Sequence, residues 1–456
     1  MSALARWFAT RGCRVAGYDR TPTPLTNQLQ AEGINIHFED NPAFIDESYW
    51  QDAEKTLVIY TPAIPIDSHE LAFFRSKGHT VEKRSRILGA ITQNMPSIAV
   101  GGTHGKTTTS AMVAHILQTA NHPCVAFVGG ITLNYSSNLI TSEGSVEDEN
   151  VTAVVEADEF DRSFLQLFPD VAVLTSLDAD HLDIYGTAEE LKSTYRQFAR
   201  QVKPGGTLII QHKLISEMID LPKNLTVHTY GIGEGDAKAL NVKAEEYGFR
   251  FDLVTEDLHL PGVLLGMSGY HNVENSVAAA CAALSFGISA DAIRRGLETF
   301  KGVQRRFELH VSGPAGVVVD DYAHHPTEIE AFLRSILSQY PSRHVTACFQ
   351  PHLYSRTRDF AEGFAKALSM ADRVVMVDIY PARENPMPGI TSATIGRLIE
   401  GTEVLYASIE QLPRLLETVP TDVVLTVGAG DISKVLPELV AQAERRNAEM
   451  KEVAHG

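Results

Sequence analysis

The stretch that most restricts how this chain can fold is AVGGTHGKTTT, residues 99–109. Residues 97–100 read as a strand, glycines follow, and a helical run continues to Leu117. Gly101, Gly102 and Gly105 permit positive φ and a close backbone approach. The helix N-terminus behind them offers free N–H groups and partial positive charge, the setting in which phosphate binds. The spacing is tighter than the usual G-x-x-x-x-G-K-[ST], because Val100 stands where the first glycine would be. Lys106 would reach terminal phosphates, and the Thr107 hydroxyl suits Mg²⁺, which prefers hard oxygen ligands. The alternative is a strand-to-helix turn that binds nothing.

The 456 residues leave room for several domains. A formal charge of -18 argues against nucleic acid as a main partner. A nucleotide needs only a few local cations and N–H groups. Cys13, Cys124, Cys281 and Cys348 are scattered without a CxxC pair, which predicts a reduced, cytoplasmic protein. No apolar run reaches the roughly 18 residues of a membrane helix, so no membrane partner is expected. The opening MSALARWFATRG carries Arg6 and Arg11 within its apolar stretch, so it reads as an amphipathic helix rather than a signal peptide.

Three textures follow one another. Residues 1–95 alternate helices with apolar strands at 13–19, 34–38 and 55–64, the rhythm of a doubly wound α/β unit. Such a nucleotide-type fold opens with a strand and a Gly-rich turn, whereas this sequence opens with a helix. Residues 96–301 add strands at 97–100, 152–155, 171–175 and 207–210, a turn-rich stretch at 222–262 expected to form an antiparallel edge, and a small-residue helix at 275–288. Residues 302–456 place strands at 316–320, 344–348, 373–377 and 422–427 between helices, a second doubly wound domain.

Chemistry-bearing residues cluster at the strand ends, which in such sheets open on the ligand crevice. Glu156, Asp158, Glu159 and Asp161 follow one strand; Asp178, Asp180, His181 and Asp183 follow another. Alone, four acids read equally well as a solvated turn. A histidine among acids, near a Lys-Thr phosphate loop, points to a metal or metal-plus-substrate site. His271, Asn272 and Asn275 open a helix, where amides cap the helix or read an adenine edge. Arg305 and Arg306 could clamp polyphosphate with forked hydrogen bonds or form surface ion pairs. DDYAHHPTE (320–328) and FQPHLYSRTRDF (349–360) set Tyr322, His324, His352 and Arg356 after two strands of one domain.

Together these stretches resemble the Mur ligase family, the ATP-dependent amide-forming ligases of bacterial cell-wall synthesis. The family's loop is G-T-x-G-K-[ST], here Gly102-Thr103-His104-Gly105-Lys106-Thr107. EADE, DADHLD, GYHNVEN, RRF, DDYAHHPTE and FQPHLYSRTRD match in family order and cover nearly the whole chain. The resemblance implies an α/β, three-domain architecture. Residues 1–95 would be a Rossmann-like UDP-sugar-binding domain, N-terminally incomplete. Residues 96–301 would be a central P-loop-type ATPase domain, and residues 302–456 a Rossmann-like amino-acid-binding domain.

The resemblance also implies ATP and Mg²⁺ as cofactors. Residues Gly102 to Thr108 (with Thr103, His104, Gly105, Lys106 and Thr107) would hold ATP. Thr107, Glu156 and His181 would hold the metal. His271, Asn272 and Asn275 would face adenine, with Arg306 and Asp321 near the nucleotide. Asp19 falls at the uridine site, and Tyr322, His324 and Arg356 at the amino-acid end. Lys106, Glu156, His181 and His324 would carry catalysis, His324 as a base that is neutral near pH 7.

The implied reaction joins L-alanine to the lactyl carboxylate of UDP-N-acetylmuramate through an acyl phosphate. Closure of the third domain would exclude water. The protein would be a monomer or homodimer. Two other readings share these motifs: a ligase of the same family that adds a murein tripeptide, and a non-catalytic nucleotide-binding protein. The sequence departs from the family pattern twice. It begins at the helix expected after the first strand and Gly-rich turn, so both are expected upstream of Met1. Leu353 stands where many members carry arginine.

Overall fold

The computed structural model describes residues 1–142, 150–179, 182–245, 248–382 and 384–455. Contacts divide the chain into two compact units. One comprises Met1–Leu240, Leu253–Pro261 and Glu274–Glu298; the other comprises Asn241–Asp252, Gly262–Val273 and Thr299–Gly456.

The first unit begins with α1 (Ser2–Thr10), β1 (Ala16–Tyr18), α2 (Pro24–Ala31), β2 (Asn35–His37), β3 (Leu57–Tyr60), α3 (His69–Ser76), β4 (Thr80–Lys83) and α4 (Arg84–Asn94). Helices and strands alternate as expected, but the strands pair as β1 with β2 and β3 with β4, both parallel. α1 is amphipathic, burying Ala3 and Leu4. Its Arg6 is buried too, and is satisfied by Glu32 at 2.7 and 2.8 Å and by Asn138 Oδ1 at 2.7 Å. α2 starts at a capping box between Thr23 and Thr26, with Pro24 in the first turn.

The unit continues through β5 (Ser97–Gly101), α5 (Lys106–Thr119), β6 (Cys124–Thr132), β7 (Ser137–Thr141), β8 (Thr152–Ala157), β9 (Val171–Leu174), α6 (Leu182–Tyr185), α7 (Ala188–Arg200), β10 (Thr207–Gln211), β11 (Thr226–Ile232) and the start of β12 (Ala237–Glu245). Their sheet order is β12-β11-β10-β9-β5-β8-β6-β7. Every residue of β5 and β9 is buried, as expected of parallel strands covered on both faces. Phe164 lies between Phe198, stacked at 5.2 Å, and Tyr195, edge-on at 5.1 Å.

The antiparallel edge expected at 222–262 is corrected for β11 and the start of β12. β11 runs parallel to β10, and residues 237–239 run parallel to β11. A 3-10 turn at His212–Glu217 follows β10 on the return path that a parallel pair requires. Asp236 then accepts from Thr229 N and Oγ1, drawing the start of β12 beside β11. An antiparallel edge pair forms at the opposite side, between β6 and β7.

After β13 (Gly248–Val254), β14 (His259–Leu265), α8 (Tyr270–Leu284) and α9 (Ala290–Thr299), the second unit carries its own sheet. Its elements are β15 (Glu308–Val311), β16 (Val317–Asp321), α10 (Pro326–Gln339), β17 (Val345–Phe349), α11 (Tyr354–Asp359), α12 (Ala361–Leu368), β18 (Arg373–Val377), α13 (Ala393–Gly396), β19 (Glu403–Ala407), α14 (Leu412–Glu417), β20 (Val423–Val427) and α15 (Leu436–His455). The six strands lie in the order β15-β16-β20-β17-β18-β19, parallel except for β15. β16, β20 and β17 are neighbours, so the segments after Asp321, Val427 and Phe349 leave from one edge of the sheet. Among the described residues no helix is long and apolar enough to cross a membrane.

Candidate active site

In the first unit the site grows from the turn between β5 and α5. Gly102 has φ +131°, and a Cβ there would lie 2.1 Å from Thr175 Oγ1 and 2.8 Å from Ser176 N. Gly105, at the start of α5, has φ +81°, and a Cβ there would lie 2.7 Å from Asn275 Oδ1. The segment after β9 holds the turn from outside. Thr103 N donates to Ser176 O at 3.2 Å, Thr103 Oγ1 to Asp178 O at 2.9 Å, and His104 N to Ser176 Oγ at 2.7 Å. His104 also pairs with Asp178 at 3.2 Å. Thr108 is buried in the first turn of α5.

Lys106 Nζ donates to Gly102 O at 2.6 Å, to Thr103 O at 3.1 Å and to Glu159 Oε1 at 3.0 Å. Burial alone would lower its pKa. The charge of Glu159, with Asp158 and Glu156 behind it, wins and holds the ammonium above the usual lysine value. Thr107 Oγ1 donates to Glu156 Oε2 at 3.3 Å, and Gly129 N donates to the other oxygen of Glu156. A hydroxyl beside a carboxylate is a hard-oxygen donor set, and it fits Mg²⁺. His181 and Asp180 lie outside the described residues.

The four acids after β8 have separate tasks. Glu156 faces Thr107 and Glu159 faces Lys106, while Asp158 pairs with Arg84 at 3.0 Å and Asp161 with Lys83 at 2.8 Å. Beside Asp161 is a cavity of about 310 Å³, with Tyr60, Lys83, Ser85, Arg86, Arg162 and Gln166 in its wall. Sequence reasoning missed it. The signal was VEKRSR (81–86), a cationic run in an acidic chain. Asp19 is exposed directly after β1, accepting from Thr21 N at 3.1 Å.

Asn275 is buried against Gly105 of the loop. In the second unit Asn272 is also buried, and its amide donates to Ser268 O at 2.7 Å, a local backbone bond. The His271 ring lies 6.3 Å from that of Phe307.

The second unit separates the two arginines. Arg305 donates to Gly430 O at 2.8 Å and to Gly428 O, and pairs with Asp320 at 3.2 Å, so it ties together the ends of β16 and β20. Arg306 lies over the Tyr322 ring at 4.9 Å and 4.0 Å from Glu328. Asp321 accepts from Phe307 N and Ala323 N, each at 2.7 Å. Burial pushes its pKa up to about 7, against the opposing charge of Arg306.

His324 Nδ1 lies 3.0 Å from Tyr322 O, which makes that nitrogen the donor. Burial, with Arg356 and Arg306 nearby, outweighs Glu328 and lowers its pKa to about 4. The ring is therefore neutral at pH 7, as expected, but is a far weaker base than free imidazole. It lies 6.2 Å from the His352 ring, which stacks on Tyr380 at 5.7 Å. Arg356 is buried in α11, and the neighbouring Ser355 is bound through N and Oγ by Glu384. Leu353 adopts φ +69° and donates its N–H to Tyr380 O. One sheet edge thus gathers Arg306, Tyr322, His324, His352 and Arg356. Guanidinium groups there match a carboxylate, and neutral imidazoles offer acceptors to an amine.

Family models match three parts of the chain: "Mur ligase family, catalytic domain" at 1–95, "Mur ligase middle domain" at 100–283, and "Mur ligase, glutamate ligase domain" at 305–430. The UDP-N-acetylmuramate–L-alanine ligase of Cytophaga hutchinsonii is 44% identical over 447 residues, covering 98% of this chain and 95% of the relative. That of Parabacteroides distasonis is 44% identical over 437 residues, covering 96% and 93%. The crystal structure of UDP-N-acetylmuramate-alanine ligase from Thermotoga maritima superposes with a TM-score of 0.80 at 27% identity, covering 98% of this chain and 96% of that one.

Proposed function

Because the chain belongs to the Mur ligase family, we propose that it is an ATP-dependent ligase of peptidoglycan precursor synthesis, joining L-alanine to UDP-N-acetylmuramate. The observation that carries this reading is the loop at 102–107, which brings an ammonium, a hydroxyl and a carboxylate together at a helix N-terminus. Its substrates follow those of relatives that share 44% of their sequence with it over nearly full length.

A free carboxylate is a poor electrophile, so amide formation in water needs a leaving group. The lactyl carboxylate attacks the γ-phosphorus of ATP, and ADP leaves. The neutral amine of L-alanine then attacks the acyl carbon, and phosphate leaves. The chain's first task is to let two anions meet. Lys106 and the N–H groups opening α5 offset the triphosphate's charge. Thr107 and Glu156 would hold Mg²⁺, which supplies further positive charge when bound; His181 is proposed with them. Asn275, His271, Asn272, Asp321 and Arg306 are proposed around the nucleotide. Arg356 would take the carboxylate of L-alanine, with Tyr322 and His324 beside its amine. With a pKa of about 4, His324 orients the amine as an acceptor and cannot store its proton.

We further propose the functional division 1–95 for the UDP-sugar with Asp19 at uridine, 96–301 for ATP, 302–456 for the amino acid, and work in the cytoplasm. The test is ADP release with each substrate omitted in turn, then with a panel of amino acids and a murein tripeptide. ADP release that needs UDP-N-acetylmuramate and L-alanine is expected. Release independent of both overturns the reading, and preference for the tripeptide moves it to the recycling member of the family.

A further inference from the structure

Among the acids after β8, Glu159 faces Lys106, but the proposed reaction gives it no step. Glu159 is 2% exposed, yet carries a carboxylate. Both its oxygens lie on the Lys106 ammonium, at 3.0 and 2.8 Å. Its backbone is fixed from two sides: Arg162 N and the Tyr185 hydroxyl both donate to Glu159 O. The turn that follows is strained, with Asp161 and Arg162 at φ 55° and 53°. No neighbour can substitute, since Asp158 pairs with Arg84 and Glu156 with Thr107.

A lysine ammonium has three N–H donors on a flexible stem. Here they meet Gly102 O, Thr103 O and Glu159. An arriving phosphate must displace at least one of these. A neutral carbonyl bond is the weaker one, and a buried carboxylate stripped of its partner is costly. The carbonyls therefore yield and Glu159 stays.

We propose that Glu159 is the positioning residue of the phosphate loop, its carboxylate keeping the Lys106 ammonium in place while the carbonyl contacts are exchanged for phosphate oxygens. This rests on the ligase reading for its kinetic test. A negative charge next to the phosphates does nothing for nucleotide affinity, so its use lies in fixing the ammonium for the transfer itself.

The test measures ADP formation by Glu159→Gln and Glu159→Asp against varied ATP, with the other substrates saturating. A crystal structure of the wild-type chain with a nonhydrolysable ATP analogue accompanies it. Glu159→Gln should lower kcat at least about tenfold with KM for ATP within about twofold or lower. Glu159→Asp, which keeps the charge, should recover part of that loss. The analogue complex should keep Nζ within hydrogen-bond reach of Glu159. The proposal fails if kcat of Glu159→Gln stays near wild type, if KM for ATP rises as kcat falls, if aspartate recovers nothing, or if Nζ leaves the carboxylate. Should the variants not fold, the analogue complex alone decides. A wild-type chain without substrate-dependent ADP release would instead overturn the ligase reading, again leaving Glu159 to that complex.

Discussion

In the proposed reaction Lys106 would carry the charge that lets two anionic reactants approach, so its loss should be felt in the chemical step. Lys106→Ala is expected to cut turnover at least about 100-fold in the ADP assay, the scale of a lost electrostatic stabiliser. Near-normal turnover would remove it from the site. His324 and His352 support a prediction about stability. Their folded pKa values are lowered from 6.5 to about 4, chiefly by burial. A depressed folded pKa means stability present above pH 6.5 and lost as pH falls from 6.5 through 4, on the order of 3 kcal/mol for each ring. Melting between pH 6.5 and 4.5 should therefore show a smaller drop for His352→Asn than for wild type. Asp321 runs the other way: its folded pKa, raised from 3.8 to about 7, gives stability at low pH that is lost as pH rises through 7. Lys106 and Thr107 were legible in the sequence because the loop motif fixes their order along one strand-turn-helix path, and Glu156 because it ends an apolar strand. The partners of Glu159, Asp158 and Asp161 were not, because four acids in six residues look alike until folding brings Lys106, Arg84 and Lys83 to them. Arg305 and Arg306 likewise separate only once Gly428 and Gly430 arrive from 120 residues later or more.

The turn between β5 and α5 works only if its backbone follows a path closed to a side chain. At Gly102 an added Cβ would meet Thr175 Oγ1 at 2.1 Å while holding φ at +131°. Gly102→Ala should weaken binding of an ATP analogue at least about tenfold by calorimetry, through displacement of the loop. Unchanged binding would show that the turn tolerates the shift. Fully buried strands such as β5, β16, β17 and β20 were read correctly, because burial on both faces makes them mostly apolar. β4 (TVEK) and β19 (EVLYA) were missed: each is partly exposed and charged, and its pairing is decided by the neighbouring strand. The parallel course of β11 and the start of β12 was hidden for a related reason, since it depends on Asp236 reaching Thr229 rather than on periodicity.

Across the whole molecule, the residues proposed for phosphate and those proposed for the amino acid are carried by different parts of the chain. The cavity walled by Lys83, Arg86 and Arg162 had no motif to announce it. An acyl-phosphate route also requires that one substrate oxygen change owner. If the lactyl carboxylate attacks phosphorus, one of its oxygens must leave with inorganic phosphate when alanine displaces it. The direct measurement is turnover of UDP-N-acetylmuramate labelled with ¹⁸O in that carboxylate, with the phosphate analysed by mass spectrometry. With both carboxylate oxygens labelled, the acyl-phosphate route gives one ¹⁸O in each phosphate released. Phosphate that carries no label would contradict it.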